Sequence, residues 1–382
     1  MGQRQSSLEK LVTPGFWEGK RVFLTGHTGF KGAWLSLLLQ RMRAEVFGYA
    51  LAPETEDGTF TTARVAAGMS SDGRGDIRDL DLLKTALRDS QPEIVFHLAA
   101  QSLVRASYRD PVGTYATNVG GTVNLLEAVR GCPQVRAVIV VTSDKCYENR
   151  EWPWAYREID PLGGRDPYSS SKACAELVVS AFRRSFFAAV AAPAVASVRA
   201  GNVIGGGDWA EDRLMPDAIR AFSGGTPLLV RSPNAFRPWQ HVLEPLGGYI
   251  LLAECLVAEG HSAATEWNFG PSSDSFRPVH QVADMLAEAW KGARWRPAGD
   301  EHLHEATLLQ LDSTKARLLL GWSPLIDLET AVMQTIEWYK AWNRGADMRA
   351  VTLSELDSYL AESSGRWTPM LKHVSSAQSR FA

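Results

Sequence analysis

Cysteine is scarce: the 382-residue chain holds four, Cys132, Cys146, Cys174 and Cys255. They are scattered, with no CxxC pair and no Cys/His group at metal-ligand spacing. A disulfide framework and a zinc site are therefore not what organises this fold, and a reducing cytoplasm is the expected compartment. Long apolar runs are also missing, so no membrane-spanning segment is expected. Residues 1–18 are polar and charged without an apolar core, and no signal peptide is expected. Neither sign of charge dominates: 40 Lys and Arg stand against 43 Asp and Glu, a net of −3. Nucleic acid and membrane surfaces lose their usual electrostatic footprint. No internal repeat and no low-complexity tract occurs.

What is present is ordinary in bulk. Hydrophobic residues make up 45% and charged residues 22%, a globular composition, and the length allows one large or two ordinary domains. Tryptophan is the exception, with 13 residues. Many lie beyond residue 150, which points to an aromatic-lined second half.

The first chemical signal is a glycine turn. Residues 20–25 read as a strand, Gly26-His27-Thr28-Gly29-Phe30-Lys31-Gly32 follows at once, and a helix is predicted over residues 33–42. Between strand and helix, GxxGxxG is a dinucleotide cradle. Gly26 permits the tight turn, Gly29 lets backbone N–H groups approach a pyrophosphate, and Gly32 lets helix and strand pack closely. The positive end of the helix faces the phosphates. His27 is bulky for such a turn; it either crowds the dinucleotide or points to solvent. The second strand, residues 45–49, is followed by Tyr49-Ala50-Leu51-Ala52, with neither an acid for a ribose nor a basic pair for a 2′-phosphate. That position leaves the choice of dinucleotide open. Asp76 is suited to an adenine amino group or to capping the helix predicted at residues 79–90. His97, inside the apolar run 93–100, reads as a core histidine. Asn118 interrupts the long helix predicted over residues 111–130, as a buried amide at a kink or as an exposed side chain.

The second signal is a strand end. Val138-Ile139-Val140-Val141 is apolar without alternation, as in a strand buried on both faces, and it breaks into Ser143-Asp144-Lys145. Ligands of open α/β sheets lie beyond the carboxyl ends of their strands. Tyr168 and Lys172 follow on a helix predicted over residues 167–187, four residues apart and hence on one face. An ammonium beside a phenol is expected to lower the phenol's pKa and make it a usable base. Further on, Arg199-Ala200-Gly201-Asn202 leads into a glycine-rich stretch ending at Trp209, and Arg237-Pro238-Trp239-Gln240-His241 is polar and aromatic. Arg213 and Arg237 have the charge and planar fork that suit phosphate, with surface ion pairs as the competing reading. Helices are expected near residues 244–258, 278–290, 313–320, 328–346 and 353–362, and residues beyond Trp367 read as a frayed tail.

The glycine turn, the Ser143 strand end and the Tyr168-x-x-x-Lys172 pair together resemble the extended short-chain dehydrogenase/reductase superfamily, from about Val22 to the last helices. Within it, residues 25–32, 142–147, 199–209 and 237–241 are similar to the nucleotide-sugar 4,6-dehydratases, those acting on CDP-glucose above all. The resemblance implies an α/β fold, a Rossmann-type doubly wound parallel sheet with a smaller, mostly α C-terminal substrate lobe. The NAD-binding part would comprise residues 19–199, with 239–269 returning to it; 200–238 and 270–365 would form the nucleotide-sugar lobe. It implies NAD held by Gly26, His27, Thr28, Gly29, Phe30, Lys31, Gly32, Asp76, Ile77, Leu98, Ala99, Ala100, Asn118, Tyr168 and Lys172. Substrate would meet Asn202, Arg213, Arg237, His304 and Glu305.

The same resemblance assigns Tyr168, Lys172 and Ser143 to oxidation at C4 and Asp144 to protonation of the C6 hydroxyl. Lys145 is a departure, since the dTDP-glucose dehydratases carry a Glu there as the C5 base. Lysine is a base only when neutral, and burial with nearby positive charge would favour that; staying charged to stabilise an enolate is the other role. A 4-epimerase, a dTDP-, GDP- or UDP-sugar dehydratase and a non-catalytic Rossmann scaffold are the alternatives. Epimerases need no acid/base pair after the serine, and a scaffold would not need Tyr168 and Lys172. A homodimer or homotetramer is implied, through the helices at 111–130 and 167–187.

Overall fold

In the computed structural model, residues 14–299, 307–364 and 366 are described. Seven strands form the main sheet: β1 (Arg21–Thr25), β2 (Glu45–Ala50), β3 (Ser71–Arg74), β4 (Ile94–His97), β5 (Ala137–Val141), β6 (Ala194–Ala200) and β7 (Glu266–Phe269). All pair in parallel, in the order β7-β6-β5-β4-β1-β2-β3. The chain order reverses between β1 and β4, and a crevice opens at such a switch point.

Both sheet faces are covered, which is why the central strands carry no polar alternation. Val22, Leu24, Ile94, Phe96 and Ile139 pack on one side with the helices Phe30–Arg41 and Leu243–Glu259. Phe23, Val95, Val138 and Val140 pack on the other, against Leu83, Leu87, Leu125 and Val179. Helix Phe30–Arg41 is buried from Gly32 to Leu39, as expected of a helix enclosed all round. Its outer side is closed by the last helix, Met348–Ser363, through Leu356 and Tyr359. That helix, grouped by sequence with the substrate lobe, thus packs on the sheet half. The lobe has its own core of Met215, Phe222, Val230, Trp239, Val282 and Leu286, and helix Leu328–Asn343 contributes to both cores. No helix among the described residues is long and apolar enough to cross a membrane.

The long helix expected at 111–130 is interrupted. Pro111–Tyr115 and Gly121–Arg130 are α-helical, while Ala116–Gly120 is a π turn. Asn118 lies in that turn, buried. Its amide accepts from the Gln101 N–H at 2.8 Å and donates to the Gln101 carbonyl at 2.9 Å and to Ser171 Oγ at 2.8 Å. Of the two readings, the buried amide at a distorted turn is the one observed. His97 is a core histidine: the Thr25 hydroxyl bonds its Nδ1 at 2.8 Å, and burial draws its pKa down to about 3.

A buried ion pair ties the sheet to helix Pro167–Ser185. Arg199, inside β6, meets Glu176 through Nε at 2.8 Å and a terminal nitrogen at 2.9 Å. Ser197 and Thr142 donate to the same carboxylate at 2.7 and 2.5 Å, and Arg199 also donates to the Tyr147 hydroxyl at 2.7 Å. Burial pushes the Glu176 carboxyl up, but the Arg199 charge and these bonds outweigh it and hold the group below its ordinary 4.5. Replacing Glu176 by Gln leaves a buried guanidinium uncompensated and should cost about 3–5 kcal/mol in urea unfolding. The double replacement by Met at 176 and 199 should cost less than the two single changes added together. Because the folded pKa is depressed, this stability is complete above about 4.5 and is lost as pH falls through the lower folded value. The gap between wild type and Glu176→Gln should therefore narrow below that pH.

Candidate active site

One cleft of about 940 Å³ runs along the carboxyl ends of the strands and under the lobe. Its floor on the β1 side is the glycine turn. Gly26 has φ +75, and a Cβ there would lie 2.6 Å from the Ala99 nitrogen; a Cβ on Gly32 would lie 2.0 Å from the Gly26 carbonyl oxygen. Only glycine fits either place. No side chain caps helix Phe30–Arg41, so its first N–H groups are available to an anion. Thr28, Gly29, Phe30, Lys31, Asp76, Ile77, Leu98, Ala99 and Ala100 complete this wall. The donor set fits a dinucleotide. Asp76 is held by Arg78 at 2.5 Å, and the helix cap is its neighbour Asp79, which accepts from Leu82 N–H at 3.0 Å.

At the end of β5 the chain forms a single 3-10 turn, Asp144–Cys146, capped by Ser143. Ser143 Oγ accepts from Lys145 N–H at 3.2 Å and donates to Asp144 Oδ1 at 3.0 Å, and it is close enough to the Tyr168 phenol to lower its pKa. Tyr168 opens helix Pro167–Ser185, started by Pro167 and capped by Asp166. Lys172 donates to the Val141 carbonyl at 3.2 Å, and Ser143, Asp144, Lys145, Tyr168 and Lys172 all line the cleft.

Burial sets the electrostatics. It raises the Asp144 carboxyl, against the lowering influence of Lys145, the Ser143 hydrogen bond, Lys31 and Arg237. It lowers Lys172 to about 8, with Glu176 pulling the other way. The expectation for Tyr168 is corrected. Its phenol is pushed up to about 12 by burial, with Ser143 and Arg213 opposing. The Lys172 headgroup donates to a backbone carbonyl and is itself drawn toward neutrality by burial.

Asn202, Arg213 and Arg237 line the lobe side of the cleft. Arg213 bonds Asp208 at 2.8 Å and Ser102 Oγ at 3.4 Å, and its charge reaches Tyr168. Arg105 and Arg231, both paired with Asp212, join this wall. The sequence reading missed them, because an arginine in an unremarkable helix or loop carries no signature. His304 and Glu305 lie outside the described residues, as does the tail beyond Trp367. The aromatic lining is modest: Trp209 and Trp239 face the cleft, whereas Trp267, Trp322 and Trp338 are core.

Two residues expected at the cofactor turn away from it. Asn118 spends its amide on Gln101 and Ser171. His27 neither crowds the dinucleotide nor reaches solvent. It is fully buried, fills the space left by Gly48, stacks edge-on against Phe60 and bonds Asp72 of β3 at 2.7 Å. A Cβ on Gly48 would lie 2.6 Å from the imidazole. Desolvation lowers the pKa of His27, with Asp72 opposing.

A sequence family described as GDP-mannose 4,6 dehydratase matches residues 23–335. A CDP-glucose 4,6-dehydratase of Salmonella typhimurium is 50% identical over 360 residues, covering 92% of this chain and 99% of the relative. A dTDP-glucose 4,6-dehydratase of Xanthomonas campestris is 26% identical, covering 84% of this chain and 94% of the relative. Among solved structures, the dTDP-glucose 4,6-dehydratase DesIV of Streptomyces venezuelae, with NAD bound, superposes with a TM-score of 0.71 at 25% identity, covering 85% of this chain and 98% of that one.

The buried position of His27 has a measurable consequence. Replacing it by Ala removes the bond to Asp72 and opens space beneath β2, and should destabilise the protein by about 1–3 kcal/mol in chemical unfolding. An unchanged midpoint would contradict its role as a brace between the glycine turn and β3.

Proposed function

The chain belongs to the GDP-mannose 4,6 dehydratase family, and from that footing we propose that it converts CDP-glucose into CDP-4-dehydro-6-deoxy-glucose with NAD as cofactor. The observation that carries the reading is the meeting of Ser143, Asp144 and Lys145 with Tyr168 and Lys172 in one cleft. Oxidation at C4 needs a phenol, a lysine and a serine; loss of water needs an acid and a base beside them.

NAD, which the glycine turn from Gly26 to Gly32 would hold, would supply the reversible hydride acceptance that oxidation at C4 and reduction at C6 require. Ser143 hydrogen-bonds the sugar O4, and Tyr168 takes its proton as the phenolate, a form that the positive charge of bound oxidised NAD would favour. The resulting 4-ketone acidifies the C5 hydrogen. Lys145 removes that proton, and Asp144 protonates the C6 hydroxyl, which departs as water; once C6 is reduced, Lys145 returns the proton to C5 and completes the product. The burial that raises the Asp144 carboxyl suits an acid that must hold a proton. Lys172 hydrogen-bonds at the floor of the site and supports the hydroxyls around Tyr168. Asn202 and Arg237, with Arg213, Arg105 and Arg231 along the same wall, suit the diphosphate. His304 and Glu305 are assigned to the nucleotide end.

A homodimer through the helices Val104–Arg109, Pro111–Tyr115 and Pro167–Ser185 fits their exposed Tyr108, Val112, Tyr115 and Leu177. The four free thiols suit a reducing cytoplasm.

Incubation with NAD and each of CDP-, dTDP-, GDP- and UDP-glucose should yield the alkaline absorbance of a 4-keto sugar with CDP-glucose above the others. Silence with all four would overturn the assignment. Replacing Lys145 by Met should preserve C4 oxidation and abolish exchange of the C5 hydrogen with deuterated solvent; normal exchange would remove Lys145 as the base. Light scattering should report a dimer or tetramer, and Leu177→Lys should shift it toward monomer.

A further inference from the structure

Tyr168 is the second residue of helix Pro167–Ser185, and the first turn of a helix has N–H groups that no carbonyl of the same helix can meet. Pro167 has no N–H to place. The Ser169 N–H goes to the Asp166 carboxylate at 2.9 Å, and the Ser170 N–H to the Asp166 carbonyl at 2.9 Å. The Tyr168 N–H is met from another helix: it donates to Ser107 Oγ at 3.1 Å, across 61 positions of sequence.

Ser107 is placed to accept. It lies in helix Val104–Arg109 and is fully buried. Its single hydroxyl proton goes to the Val104 carbonyl at 2.6 Å, which leaves the lone pairs of the oxygen for Tyr168. The Tyr168 carbonyl is held as well. Ser171 Oγ donates to it at 2.7 Å and accepts from the Asn118 amide at 2.8 Å, and that amide also donates to the Gln101 carbonyl at 2.9 Å. The main chain of Tyr168 is thus fastened on both sides, and both fastenings lead to the segment 101–107. From the lobe, Arg105 restrains the same segment through Asp212 at 3.6 Å.

We propose that Ser107 is a positioning residue of the oxidation at C4: by holding the Tyr168 N–H it fixes the first turn of helix Pro167–Ser185, and with it the place of the phenol beside Ser143. The proposal rests on the reading of Tyr168 as the base. Phenol and serine hydroxyl must address one sugar oxygen within hydrogen-bond reach, so a loosened first turn lowers the rate of proton removal. The Asp166 cap serves Ser169 and leaves the Tyr168 N–H to Ser107 alone. Helix ends fray, and this one carries the reacting group on its second residue.

The test reads the Tyr168 amide directly, by hydrogen exchange of the full-length protein resolved to single residues by electron-transfer fragmentation. That amide should be protected in the wild type although it stands at the start of a helix. Ser107→Ala should speed its exchange about tenfold, as the loss of one hydrogen bond predicts. Ser107→Thr, which keeps the hydroxyl, should restore protection; Ser107→Cys takes its place if circular dichroism shows the Thr variant unfolded. With NAD and CDP-glucose, Ser107→Ala should lower kcat about tenfold and leave KM for CDP-glucose within about twofold, and the hydroxyl-bearing variant should recover kcat. A serine that only stabilised the fold would shift the unfolding midpoint without this split. Unchanged exchange in Ser107→Ala, an unchanged kcat, or an equal loss in a folded Ser107→Thr overturns the proposal. The exchange measurement needs no turnover. Faster exchange in Ser107→Ala, in a protein that dehydrates none of the nucleotide sugars, would keep Ser107 as the anchor of Tyr168 and discard the activity.

Discussion

The Glu176–Arg199 pair fixes the relation on which the site depends. Tyr168, Lys172 and Glu176 follow one another at intervals of one helical turn, so whatever fastens Glu176 sets the height and rotation of the other two. Arg199 fastens it from β6, Thr142 from the end of β5 and Ser197 from β6 again. Thr142 immediately precedes Ser143, so one carboxylate locates both the helix that brings the phenol and the strand end that brings the hydroxyl. A buried ion pair is an expensive way to gain stability, since well-packed apolar side chains often do as well. Its directional bonds are what apolar packing lacks. Here they hold two elements in a single register where their side chains must meet.

Beyond that register, desolvation sets the character of the cleft. It acts on four groups there against the charged form: Asp144 and Tyr168 rise, Lys31 and Lys172 fall. Acid and amines are thus moved toward each other on the pH scale. A buried carboxyl that keeps its proton near neutrality is suited to act as an acid. The positive charges that ring Asp144 limit how far its rise can go.

The central strands were legible because they announce themselves as apolar on both faces and end in glycine, small residues or a polar break; the polar edge strand β3, Ser71–Arg74, carries no such signal and was not read. The glycine turn, Ser143, Tyr168 and Lys172 were legible for the same reason, being short-range patterns at a recognisable place in such a sheet. What escaped was long-range. Arg199 read as the start of a glycine-rich loop, but it is a strand residue whose partner lies 23 positions earlier. His27 read as a side chain facing the cofactor or the solvent, because nothing local reveals that Gly48 vacates room behind the turn. The Tyr168 pKa was misjudged because adjacency on a helix fixes a shared face, while the direction of a lysine headgroup depends on the carbonyl it finds. Arg105 and Arg231 became visible only when Asp212 drew them to the same wall.

The tryptophan-rich second half has a mechanical explanation in place of the expected lining. The segment Gly205-Gly206-Gly207-Asp208-Trp209 passes between the sheet half and the lobe, and side-chain donors hold its backbone. Trp34 Nε1 and Thr59 Oγ1 each donate to the Gly206 carbonyl at 2.9 Å, and the Tyr339 hydroxyl donates to the Asp208 carbonyl at 2.5 Å. A side chain at Gly206 would overlap the Trp338 ring, with its Cβ 2.0 Å from Trp338 Cγ. Trp209 Nε1 in turn reaches the Asp57 carbonyl at 2.7 Å, in the loop after β2. Asp208, clamped in this way, orients Arg213 into the cleft. The loop beside the dinucleotide cradle and the arginine beside Tyr168 therefore share one mount. A rigid mount of this kind makes the cofactor side and the substrate side of the cleft parts of one framework, which suits chemistry that must remove a hydride from one carbon of a sugar and return it to another while the sugar stays bound.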